Sequence, residues 1–308
     1  MYNGVIVLDK IYGALSRGCV SAAGRVFGRK QKLGHAGTLD SSASGTLVLL
    51  AGYATRLCDA VMNLPKSYCA DVQFGWETST DDATGEALCE PVAADFDEAA
   101  FWHVIPAFLG VRMQRPPRIS AVMVNGQRAH KIARSGEEPQ IKERPVDIAS
   151  VHYLGQIGPG KIRLRVNCHK GVYVRSLARD LGRRLGCGAH LASLRRLNIG
   201  AYSCENALPF NPQEPPPHET LARTVLPVST LADHYYCYRA NEFCEKRLIN
   251  GLGVFVDYLS FKNAGVIPIE QGIAVLGTKI LCIGELRVED ERSLIYPRTN
   301  IPLEVLIN

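Results

Sequence analysis

Hydrophobic positions recur along this chain with several distinct periods, and each period predicts an element. Gly4-Val-Ile-Val-Leu8 is a continuous apolar run, the mark of a buried strand. Val20, Ala23, Val26 and Phe27 then recur at helical spacing behind Ser16, which the pattern makes the helix cap, and the helix ends near Gly28. From Leu33 to Tyr53 two glycine- and serine-rich turns flank a short polar stretch before an apolar run, which predicts a loop with unusual backbone conformations. Tyr68 to Gly75 alternates as a strand does, and the acidic stretch Thr78 to Glu86 reads as a turn or mobile loop. A helix is expected from Asp95 or Asp97, with Phe101, Val104, Ile105 and Phe108 on one face and a kink at Pro106. Arg112 to Lys131 is basic, contains prolines and reads as loop.

The clearest alternation lies in Lys161–Cys168, with Ile162, Leu164, Val166 and Cys168 on one face and Lys161, Arg163, Arg165 and Asn167 on the other. After a turn at Lys170-Gly171, Val174, Leu177, Ala178, Leu181 and Leu185 mark an amphipathic helix whose opposite face carries Arg175, Arg179, Arg183 and Arg184. Five prolines between Glu205 and Thr220 predict a stiff extended connector. Beyond it, short β-like runs at 253–256, 272–276 and 279–288 predict a small β-rich domain. The expected division is therefore 1–235 and 236–308.

Composition adds little to the fold but excludes several classes. At 308 residues, with 46% hydrophobic and 21% charged positions, the chain has the make-up of an ordinary globular protein with room for a large and a small domain. No stretch approaches the roughly 18–20 apolar residues of a membrane-spanning helix, so a membrane role is set aside. Ten cysteines lie scattered without a Cys-x-x-Cys pair or a histidine at zinc-ligand spacing, and no signal peptide precedes them. Reduced thiols, a cytoplasmic location and no metal are the expectation. Net charge is a mild +5, yet between residues 160 and 200 ten Lys or Arg residues face Asp180 alone among acids, an electrostatic footprint for a polyanion or else a solvated helix face.

Asp40 stands in the Gly- and Ser-rich loop after His35, from which a carboxylate can project as a nucleophile; by itself an Asp before Ser-Ser is more often a turn or cap residue. The wider pattern changes this weighting. Gly34-His-Ala-Gly-Thr-Leu-Asp40 is followed by Ser-Ser-Ala-Ser-Gly45. Leu8-Asp9-Lys10 precedes it with Gly13 and Ser16. Lys66-Ser67-Tyr68, Pro116-Pro117 with Ser120-Ala121, Gly126-Gln-Arg128-Ala-His130, Lys170-Gly-Val-Tyr173-Val-Arg175, and Leu185-Gly-Cys-Gly-Ala-His190 follow in order. Over roughly residues 4 to 200 this series resembles the TruB-type pseudouridine synthases.

That resemblance implies an α+β pseudouridine synthase fold with a mostly antiparallel mixed sheet and a central RNA-binding cleft, followed by a β-rich PUA-like domain. It implies conversion of uridine-55 in the T-loop of tRNA to pseudouridine, without cofactor or metal. Asp40 becomes the nucleophile, Arg175 its ion-pair partner and Tyr68 the residue against the target base. His35 becomes the side chain that inserts near the flipped nucleotide, Tyr173 packs beneath the site, and Lys10 supports the loop. Arg128, His130 and Lys131 suit the tRNA backbone. Where the family usually has Pro-Leu-Ala-Thr after the aspartate, this chain has Ser41-Ser42-Ala43-Ser44, which predicts a less rigid loop. Two rivals stand beside this reading: a non-catalytic RNA-binding or tRNA-folding factor, and a pseudouridine synthase with another RNA target.

Overall fold

The structure is a computed structural model in which residues 1–91, 94–256, 272–289 and 292–303 are described. The expected domain 236–308 therefore includes residues 257–271, 290–291 and 304–308, which lie outside the described residues. The chain forms two compact units, one of residues 1–40, 45–64 and 199–308, the other of residues 41–44 and 65–198. The class is α+β, as the resemblance implies, with mainly antiparallel pairing and a separate C-terminal sheet.

In the first unit the strand Gly4–Lys10 lies antiparallel to Ala43–Ala51, from Gly4 opposite Ala51 to Lys10 opposite Gly45. Leu208–Phe210 adds in parallel on one side, and Leu33–Ala36 pairs with Ala43–Ala51 on the other. Both faces of the central pair are covered. Ile6, Leu8, Leu47 and Leu49 pack on Cys19, Ala22 and Ala23 of the helix Ser16–Phe27, while Val5, Val7, Val48 and Leu50 pack on Leu57, Val61, Leu231 and Tyr235. Burial on both sides is why these strands read as unbroken apolar runs rather than as alternation.

The C-terminal sheet runs in the order Tyr236–Arg239, Ile273–Leu276, Ile280–Glu289, Arg292–Pro302, Val254–Val256, with the first pair parallel and the rest antiparallel. Ala274, Leu281, Ile283 and Ile301 join the same core as Val5 and Leu50.

In the second unit the order is Ala189–Ile199, Lys66–Phe74, Lys161–Cys168, Arg144–Gly158, Gly110–Gln114. One face carries Tyr68, Ala70, Val72 and Phe74 beside Ile162, Leu164, Val166 and Cys168. It packs on Leu177, Ala178 and Leu181 of the helix Val174–Arg184 and on Phe101 and Ile105. The strand bounds predicted at 161–168 hold to the residue, and its four inward side chains are at most 1% exposed. Asp97 caps the helix Glu98–Val104 by accepting from the Ala100 amide at 3.0 Å, and Pro106, which lacks an amide hydrogen, lies where the α-helix gives way to a 3-10 turn over Ile105–Phe108.

Several expectations are corrected. Ser16 is the first helical residue and makes no cap, because its hydroxyl is engaged with Leu39. Leu33–Ala36 is a strand, and Arg112 to Lys131 contains the end of the strand Gly110–Gln114, the short paired strands Met123–Val124 and Gln127–Arg128, and the start of a short helix, Ala129–Arg134. Of the two readings of Thr78 to Glu86 the turn is the one that holds, and Asp81 and Asp82 within it are 9% and 5% exposed and satisfied by hydrogen bonds or ion pairs. The proline-rich stretch, expected as a stiff extended connector, is also part of the packed core. Leu208–Phe210 is paired with Gly4–Lys10, and Phe210 and Leu221 are fully buried against the first helix.

Candidate active site

Asp40 sits in the turn between Ala36 and Ala43, and its entry is fixed by one side chain. The Ser16 hydroxyl donates to the Leu39 carbonyl at 2.7 Å and accepts from the Leu39 amide at 2.9 Å. Both main-chain groups of the residue before Asp40 are thereby satisfied, which holds that residue in one orientation. Lys10 is fully buried and donates to the Ile11 and Ala14 carbonyls at 3.0 and 2.7 Å. His35 is half-buried in the short strand opposite Leu49, and its carbonyl faces the Cys58 thiol at 3.6 Å.

Beyond Asp40 the loop enters the second unit. The Ser42 hydroxyl donates to Asp82 Oδ2 at 2.9 Å, and Arg195 Nη1 approaches the Ser44 hydroxyl at 3.5 Å. Asp82 Oδ1 accepts from the hydroxyls of Thr80 and Thr84 at 2.6 and 2.5 Å and from the Thr84 amide at 3.0 Å. Burial pushes the Asp82 pKa up, but these hydrogen bonds, with the Arg175 charge, outweigh it and hold the carboxyl below its ordinary value. Asp82 is therefore a fixed anion at neutral pH.

Arg175, 5% exposed, opens the helix Val174–Arg184. Its guanidinium donates to the Thr80 and Ile119 carbonyls at 3.1 and 3.0 Å and lies 3.9 Å from Asp82 Oδ2. One turn on, Arg179 donates to Asp81 Oδ2 at 2.7 Å and to the Arg115 carbonyl at 3.0 Å. The helix entry is clamped as well. Gln114 donates to the Tyr173 carbonyl at 3.2 Å and accepts from the Tyr173 amide at 2.9 Å, and Ser176 donates to the Arg115 carbonyl at 2.8 Å. The arginines opposite the apolar face are therefore split: Arg175 and Arg179 are interior, while Arg183 and Arg184 are exposed, Arg183 bound to Glu77 at 2.7 Å.

Tyr68 is 8% exposed and shares one apolar cluster with Val174, the residue before Arg175. Two residues earlier Lys66 is also buried, and desolvation, with Arg196 and Lys170 nearby, brings its pKa down to about 8. The ring of Tyr173 packs with Val122, Ala129 and Ile141. Arg128 and Lys131 are exposed at the short helix Ala129–Arg134, and His130 Nδ1 lies 3.0 Å from the Ser120 carbonyl. Sequence reasoning missed Asp82, Gln114 and Ser42. A signal existed for Asp82, in the density of hydroxyls around Asp81-Asp82, but nothing local links it to Arg175. Among the described residues no group of three or more His, Cys, Asp or Glu is arranged to hold a metal ion.

The fold is that of a chain in the crystal structure of a Cbf5-Nop10-Gar1 complex, with a TM-score of 0.71, 22% identity, and coverage of 99% of this chain and 87% of that one. A chain in the structure of an H/ACA RNP bound to a substrate RNA containing 2'-deoxyuridine gives 0.67 at 20% identity, with coverage of 99% and 87%. Sequence carries the assignment further. The profile of the TruB family pseudouridylate synthase N-terminal domain matches residues 25–174, and that of the tRNA pseudouridylate synthase B C-terminal domain matches residues 175–233. A tRNA pseudouridine synthase B of Corynebacterium aurimucosum is 36% identical over 264 residues, 83% of this chain and 89% of the relative. One of Aromatoleum aromaticum is 38% identical over 250 residues, 81% and 80% respectively. One of Xanthomonas axonopodis pv. citri is 43% identical over 200 residues, 65% and 64% respectively. The chain belongs to the TruB family of pseudouridylate synthases.

Proposed function

We propose that this protein isomerises uridine-55 in the T-loop of tRNA to pseudouridine in the cytoplasm, with Asp40 as nucleophile and without cofactor or metal. The observation that carries the reading is the Asp40 turn itself, tied at Leu39 by Ser16 and at Ser42 by the buried anion Asp82. A nucleophile that must meet one carbon of one base gains from such preorganisation. In the reaction the N1–C1' bond breaks, a C5–C1' bond forms, the C5 proton leaves and N1 takes up a proton. Asp40 attacks base or ribose, Arg175 is the cation that favours its ionised form, and Tyr68 lies against the base. His35 enters the space left when the uridine is extruded, at an unstacking cost of a few kcal/mol.

Arg128, His130 and Lys131 contact the RNA backbone of the T-arm, contributing salt-dependent affinity rather than base identity. Residues 1–235 supply catalysis and 236–308 a PUA-like module, whose five-stranded sheet begins at Tyr236. Ten free cysteines suit a reducing compartment.

The test is incubation with an unmodified tRNA transcript and with its T-arm hairpin, in chelator, followed by mapping of pseudouridine. Product at uridine-55 in both RNAs is expected. Product at another position would replace the substrate assignment, and tight binding without product would favour a tRNA-folding factor.

A further inference from the structure

The stretch that follows Asp40 has an unusual composition for a segment that must be rigid: Ser41-Ser42-Ala43-Ser44 offers the backbone no proline. Ordering such residues costs conformational entropy, and side-chain bonds must offset it. Their hydroxyls are not equivalent. Ser41 is exposed, and Ser44 meets Arg195 at 3.5 Å, beyond the usual hydrogen-bond range. Ser42 donates at 2.9 Å to a carboxylate 40 residues away.

That carboxylate has divided duties. Asp82 Oδ1 is occupied by Thr80 and Thr84 of its own turn, whereas Oδ2 receives Ser42 and lies 3.9 Å from Arg175 Nη1. The oxygen that holds the loop is thus the one nearest the arginine. With Asp82 5% exposed, the Ser42 bond is charge-assisted and poorly screened, the kind that outlasts thermal motion better than an exposed neutral one.

We propose that Ser42 is a positioning residue for the reaction: by donating to Asp82 it fixes the main chain two residues beyond Asp40 against the helix that carries Arg175. The hydroxyl does no chemistry on the substrate. It narrows the range of Asp40 orientations, so its loss slows turnover and leaves RNA binding intact. The proposal rests on the reading of Asp40 as nucleophile.

The experiment measures single-turnover release of tritium from tRNA carrying C5-tritiated uridine, at saturating enzyme, beside the Kd for the same tRNA. Ser42→Ala should slow release about tenfold, the effect of one charge-assisted hydrogen bond, with Kd changed less than about twofold. Ser42→Thr, which keeps the hydroxyl, should recover most of the rate, and Ser41→Ala should behave as wild type. In an Asp82→Asn background, Ser42→Ala should add less than about a twofold loss, because its partner is already altered. Wild-type release in Ser42→Ala, Ser42→Thr as slow as Ser42→Ala, or a loss confined to Kd would each overturn the proposal. Asp40→Asn in the same assay separates the two levels. Release by Asp40→Asn removes the nucleophile reading and this inference with it; an inactive Asp40→Asn beside an unimpaired Ser42→Ala removes this inference alone.

Discussion

At the residue scale, Arg175 is held by shape as much as by charge. Two of its nitrogens reach the carbonyls of Thr80 and Ile119, which lie in segments far apart in sequence, while Asp82 stands 3.9 Å away. A lysine keeps the charge but cannot span both carbonyls. Arg175→Lys should therefore fold and bind tRNA yet lose about tenfold or more in turnover, read as kcat at saturating RNA. Equal kcat would show that charge alone suffices. The identity of Arg175 was legible through the motif it shares with Tyr173, but its burial was not. Helical periodicity placed Arg175 and Arg179 on a polar face, and a polar face ordinarily meets water. Here it meets Asp81 and Asp82, acids supplied about 95 positions earlier in the chain, and no local pattern carries that information.

At the scale of elements, the helix Val174–Arg184 is seated by its two ends. Gln114 and Ser176 tie its entry, and at its exit Gly182 lies so close to the following turn that an added Cβ would stand 2.1 Å from the Ala189 amide nitrogen. The neighbour is backbone and cannot swing aside. Gly182→Ala should destabilise the protein by about 1–3 kcal/mol through overpacking, despite alanine's better helix propensity, and thermal unfolding would measure it. A stability equal to or above wild type would mean the turn yields. Elements with long clean periods, such as Lys161–Cys168, were read to the residue because alternation there reflects one covered and one open face. The strand Leu33–Ala36 was missed because it has four residues, one of them glycine, and exists through its pairing with Ala43–Ala51. The turn around Asp40 was legible as a turn but not as a rigid one, since its restraints come from Ser16 and Asp82.

For the whole molecule, acid is the informative perturbation, because several buried carboxylates hold structure together as anions. On the helix Glu242–Ile249, Glu245 accepts from the Lys279 and Ile280 amides at 2.6 and 3.0 Å and from the Thr278 hydroxyl at 2.8 Å. Burial raises its pKa, but these donors together outweigh burial and leave it below the ordinary glutamate value, as happens for Asp82. A carboxyl whose folded pKa is depressed contributes stability above the unfolded pKa of about 4 and loses it as pH falls through the folded value. Glu245→Gln should therefore cost about 1–3 kcal/mol near neutral pH. That deficit should shrink on acidification, where the wild type also carries a neutral side chain; unfolding curves at the two pH values would show it, and a deficit independent of pH would contradict it. Fold class was legible at this scale because the motifs span most of the chain. The docking of the proline-rich stretch was not, since Leu208–Phe210 gains its place by parallel pairing with a strand some 200 residues away. Pseudouridine formation at uridine-55 by Asp40→Asn beside wild type, on the same unmodified tRNA with matched RNA binding, tests whether the Asp40 carboxylate performs the isomerisation. Product with wild type and none with Asp40→Asn is the predicted result; pseudouridine accumulating in Asp40→Asn at a comparable rate would contradict it.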